Sequence, residues 1–188
     1  TVLKGLHSPV EGSLEGLAGM LAHQFKCVGI PWSQALIRLQ KLLWKQGLRE
    51  SNDILSVAEL IRPAVNASSS ARGKRLHFDS PVERYEAMLR LLAQMSAQRL
   101  VVVWLDDVQW GADSLRFVEY ALAHSATTPA KVLFILTARD EALAADSEEH
   151  QLMELVQAHE STTSITVNPL ERDGIHSVVT SLLNLAPD

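Results

Sequence analysis

Two uninterrupted apolar runs limit what this chain can fold into: Leu100-Val101-Val102-Val103-Trp104-Leu105 and Val132-Leu133-Phe134-Ile135-Leu136. Neither alternates polar with apolar residues, as a strand with one wet face would. Runs of this kind suit strands buried on both faces of a parallel sheet. The segment between them places Leu115, Val118 and Leu122 on one helical face, with Asp113 as its expected cap. A helix between two strands gives the crossover that parallel pairing needs.

The first half reads as mostly helical. Thr1 to Gly5 is expected to be a short strand. Three amphipathic stripes follow. Leu14, Leu17, Ala18, Leu21 and Phe25 sit behind a cap at Ser13; Leu36, Leu39, Leu42 and Leu43 sit behind a cap at Ser33 and end near Gly47. Ile54, Val57, Leu60 and Ile61 form the third, ended by Pro63. Residues 66–79, with three serines and the basic cluster Arg72, Lys74 and Arg75, read as a solvated loop, the alternative being a phosphate-contacting or partner-binding loop, though no glycine spacing there resembles a phosphate cradle. Ser80-Pro81-Val82-Glu83 is a capping box with proline at the first helical position, and opens a helix with the stripe Tyr85, Met88, Leu89, Leu92 and Met95. Beyond the second apolar run, a helix is expected from Ser147 presenting Leu152, Leu155 and Val156. A short strand at Ser164–Val167 and a last helix carrying Ile175, Val178, Val179, Leu182 and Leu183 complete the pattern. Strands alternating with helices argue for an α/β domain with a mainly parallel sheet.

Chemistry concentrates where the first apolar run ends, at Asp106-Asp107. Ligands of open parallel sheets bind beyond the carboxyl ends of the strands. Adjacent carboxylates there suit holding Mg²⁺ and orienting an attacking water. They equally suit capping the following turn and helix. The second run ends in Thr137-Ala138-Arg139-Asp140, which sets a hydroxyl and a guanidinium at the same edge.

The order apolar strand, Asp106-Asp107, Gln109-Trp110, Asp113, helix, then a strand ending in Thr137-Ala138-Arg139 resembles the Walker B and sensor regions of P-loop ATPases of the signalling (STAND, AAA-like) class. Val167-Asn168-Pro169-Leu170 before a helix resembles the segment those modules place after the sensor strand. The likeness is strong over residues 99–141, moderate over 161–185 and weak over the helical first half. It implies a three-layer P-loop NTPase-like α/β domain, with Asp106 on Mg²⁺, Asp107 in the catalytic acidic position, and Arg139 and Thr137 toward the γ-phosphate. Trp110 would pack under the turn. No GxxxxGK[ST] occurs, so the backbone amides and lysine of the phosphate cradle are missing.

On this reading residues 1–188 form one partial ATPase domain: 1–98 is the helical half with the strand at 1–5, and 99–188 is the Walker B and sensor half. The intact parent, a large bacterial regulator of signalling or transcription, would use ATP and Mg²⁺; this chain alone would bind neither and would be inactive. Its partners would be the other domains of that regulator. Loss of the central P-loop strand would expose sheet edges and favour self-association or a rearranged sheet. The alternatives are a non-catalytic interaction or scaffold module that keeps the fold, and a metal-dependent hydrolase built on Asp106 and Asp107.

Composition narrows the rest. Net charge is −5, which argues against direct nucleic-acid binding. No apolar run approaches the ~20 residues of a membrane span, and the start has no signal-peptide pattern, so a cytoplasmic location is expected. The single Cys27 reads as a small apolar residue on a helix, and the seven histidines form no metal-binding spacing.

Overall fold

A computed structural model of the chain describes residues 1–10, 12, 14–45, 47–62, 76–97 and 99–183. The expected cap at Ser13, the helix stop at Pro63 and the basic cluster at 72–75 lie outside them. The described residues form an α/β fold with three strands and seven helices: β1 (Val2–Leu6), α1 (Gly16–Gln24), α2 (Trp32–Lys45), α3 (Ser51–Ile61), α4 (Pro81–Ser96), β2 (Val101–Asp106), α5 (Ala112–Ala123), β3 (Val132–Leu136), α6 (Glu148–Ala158) and α7 (Arg172–Leu182). The sheet order is β1-β2-β3, with both pairings parallel. No described helix is long and apolar enough to cross a membrane.

The register explains the core. Leu3, Val103 and Phe134 lie in one row across the sheet. That face is covered by helices, and Leu3, Val101, Val103 and Leu105 are buried there. Phe117 of α5 meets Phe134 edge-on, with ring centroids 6.1 Å apart, and Tyr85 of α4 lies 5.9 Å from Phe117. Leu39, Leu43, Leu92 and Leu115 are also fully enclosed. Burying each leucine stabilises the fold by about 1.5–3 kcal/mol.

The opposite face of the sheet differs from expectation. Val2, Val102 and Leu133 form one row, and Lys4, Trp104 and Ile135 the next. Val2 is 63% exposed, Leu133 49% and Ile135 42%. The apolar runs are therefore covered on one face only, because no described helix packs on the other.

The helices follow the sequence with local shifts. Ser80 caps α4 as expected: its Oγ accepts from the Glu83 N–H at 3.2 Å. The Glu83 carboxylate reaches back one residue further than in the usual box, accepting from the Asp79 N–H at 2.9 Å. Ser33 is not a cap, because α2 already begins at Trp32. In α6, which starts where expected, Ser147 is the cap and Val156 is buried, but Met153 points inward where Leu155, 58% exposed, was expected. Cys27 is buried just after α1 rather than on a helix, and burial pushes its thiol pKa up. Residues 164–167 form no strand. Ile165 and Val167 are more than 80% exposed, with no strand alongside to supply ladder hydrogen bonds. The expected stripe of α7 is likewise exposed.

Candidate functional site at the carboxyl edge of the sheet

All three parallel strands end at one edge, and the four residues singled out by sequence meet there in two pairs. Asp106 is the last residue of β2. Thr137 directly follows β3, whose backbone is held in register by Thr137 N–H donating to the Leu105 carbonyl at 3.0 Å. Thr137 Oγ1 donates to Asp106 Oδ1 at 2.5 Å and accepts from the Asp107 N–H at 3.2 Å. One hydroxyl thus fixes both the carboxylate and the turn that follows it. This bond, with Lys4 alongside, holds the Asp106 carboxyl below the usual carboxylate range.

Asp107 starts a single 3-10 turn, Val108–Trp110, from a left-handed backbone conformation (φ 57°, ψ 44°). A non-glycine residue there is strained by about 1 kcal/mol or more. Its side chain caps no helix. Instead Oδ1 accepts from Gln109 Nε2 at 3.0 Å and lies 3.3 Å from Arg139 Nε. Gln109 Oε1 in turn accepts from the Arg139 N–H at 3.2 Å. Asp107 and Arg139 remain largely open to solvent, 42% and 63% exposed, so their pairing is weak and exchangeable.

Three further residues complete the edge, and sequence reasoning missed them. Lys4 reaches from β1 to Asp106 Oδ2 at 3.1 Å, with its ammonium 3.9 Å from the centre of the Trp104 ring. His7, just past β1, is buried. Its Nδ1 lies 2.8 Å from the Asp106 carbonyl and its Nε2 lies 2.8 Å from Ser114 Oγ. With the ring neutral, Nδ1–H donates to the carbonyl and Nε2 accepts the hydroxyl proton. Both His7 and Ser114 are more than 90% buried, so the pair ties β1, β2 and α5 together rather than presenting a nucleophile. Gly111 makes room for it, since a Cβ there would stand 2.4 Å from the His7 ring. The available signal was position: Lys4 shares a strand face with Val2 and Leu6, and His7 follows the end of a parallel strand.

One structural expectation changes. Asp113 is not the cap of α5, because the helix opens at Ala112 behind Gly111. Its carboxylate binds the Arg84 guanidinium and accepts from Tyr85 Oη at 2.7 Å. Trp110 is half-buried, with its indole N–H shielded and unpartnered among the described residues.

The edge offers oxygen donors of the hard type that suits Mg²⁺. Among the described residues no three His, Cys, Asp or Glu side chains gather as a metal site of their own. A phosphate-borne Mg²⁺ fits this donor set, because that ion takes one or two carboxylates and completes its shell with phosphate and water. No family model matches the chain, and neither a curated protein nor a solved structure matches it.

Proposed function

We propose that the chain is the Walker B and sensor portion of an ATP-dependent regulatory switch, within a three-layer P-loop NTPase-like architecture. The observation that supports this most is the double pairing at one sheet edge: Thr137 on Asp106, and Arg139 on Asp107. A fixed carboxylate and an exchangeable carboxylate–guanidinium pair, side by side beyond parallel strands, form a unit that can respond to a polyphosphate.

Asp106 would hold Mg²⁺, whose charge would neutralise the phosphates when bound. Asp107 would orient or deprotonate the attacking water. Arg139 would leave Asp107 for the γ-phosphate, because a doubly charged phosphate competes well for a bidentate guanidinium. Asp107 would thereby be freed for its role. The switch would transmit nucleotide state to attached domains of a larger signalling or transcription regulator. The phosphate cradle is not among these residues, so strong binding would require it from elsewhere.

A second reading is a non-catalytic scaffold. It is favoured by Lys4, which already neutralises the Asp106 oxygen that would face a cation. Calorimetric titration with Mg-ATP separates the two, on this chain and on the longest product its gene encodes. The switch reading expects binding by the longer protein, altered by Asp106→Ala and by Arg139→Ala. Absence of binding by both would leave the scaffold.

A further inference from the structure

On the side of the helical layer, α2 and the end of α1 enclose a groove of about 480 Å³. Its apolar lining is Phe25, Ile37 and Leu42; Phe25 is 2% exposed, so the open apolar surface is that of Ile37, 67% exposed, and half-buried Leu42. Lys26, Arg38, Lys41 and Lys45 line its walls, and no carboxylate does. None of these four forms an ion pair with a described carboxylate. Four unneutralised cations around an apolar slot stand out on a chain of net charge −5.

The cations are placed with some order. Arg38, Lys41 and Lys45 follow one face of α2 at spacings of three and four, and the Arg38 guanidinium donates to the Lys26 carbonyl. Lys26 adopts a left-handed conformation, φ 54°, at the close of α1. Glycine is the unstrained residue for that position, and the lysine there lines the groove. From Gln34 to Lys45 the groove follows the helix axis for about 16 Å, or three turns.

We propose that this groove is a docking site for an acidic amphipathic helix of a partner protein. The partner's apolar ridge packs on Ile37 and Leu42, and the carboxylates flanking that ridge meet Arg38, Lys41 and Lys45. Charge complementarity selects an acidic partner, and the concave floor selects a convex ridge. A nucleotide would need its cations gathered around one phosphate group rather than spread along three turns. The inference does not depend on the nucleotide reading of the sheet edge.

The test is fluorescence anisotropy with a labelled synthetic helix of about 15 residues, with leucine at i, i+3, i+4 and i+7, glutamate at the positions flanking that stripe and alanine elsewhere. Saturable binding is expected, weakened by added salt and by about tenfold or more in Arg38→Glu/Lys41→Glu. Ile37→Ser should also weaken it, whereas Arg90→Glu on α4 should not. The salt dependence on the native chain needs no variant, and circular dichroism confirms that each variant is folded. The proposal fails if the peptide does not saturate, or if a lysine-for-glutamate version binds equally. Equal binding by the Arg38 and Lys41 variant also overturns it. Tighter, Arg38-dependent binding to phosphatidylglycerol vesicles would assign the groove to a lipid surface instead.

Discussion

Thr137 Oγ1 is the atom on which the sheet edge turns, since it bonds both the Asp106 carboxylate and the Asp107 amide. Replacement by valine keeps the shape and removes the donor. Thr137→Val should raise the acid titration of Asp106, followed by carboxyl chemical shifts, and cost about 1–2 kcal/mol in denaturant unfolding. The sign of the pH dependence follows from the lowered carboxyl of folded Asp106. Its contribution is complete above the unfolded carboxylate range and disappears as pH falls through the folded value. Asp106→Asn should therefore flatten that part of the acid limb. Tyr85 behaves oppositely. Burial, then its bond to Asp113, pushes it up to about 12. Folding favours the neutral phenol, so this contribution is complete below the ordinary tyrosine value near ~10 and is lost as pH rises through about 12. Tyr85→Phe should remove the late phase of tyrosinate absorbance and cost about 1 kcal/mol near neutrality.

At the scale of elements, the junction of β1, β2 and α5 is set by close approach rather than by propensity. Gly111 lies directly against the His7 ring, and the ring bonds both Asp106 and Ser114. Gly111→Ala should push His7 from these partners and destabilise the fold by about 1–3 kcal/mol, read from the denaturation midpoint. The strain at Asp107 belongs to the same junction: the strand must turn sharply for Gln109 to reach back to Asp107 and to the Arg139 backbone.

For the whole molecule, the sheet has one face that is protected and one that is not. One face is packed by helices, while Val2, Leu133 and Ile135 stand open on the other. The outer edges of β1 and β3 carry no further strand among the described residues. Open apolar faces and free edges associate. Sedimentation should therefore show concentration-dependent oligomers, reduced by Leu133→Lys/Ile135→Lys. A strict monomer at all concentrations would mean that the face is protected in solution by an arrangement other than this one.

What the sequence determined by itself was the local and periodic part. The capping box at Ser80, the stripes of α3 and α4, and the two apolar runs that become β2 and β3 need only neighbours along the chain. That Asp106, Asp107, Thr137 and Arg139 share one edge was also legible, because parallel strands in register bring their ends together; which of them pair was not. The tertiary structure decided the rest. Whether Val167 extends a sheet depends on a partner strand, and none among the described residues lies beside it. Whether Leu133 and Ile135 are covered depends on a second helical layer, which periodicity cannot report. Lys4, His7 and Ser114 join the site across about a hundred residues of chain, where only folding fixes the distance.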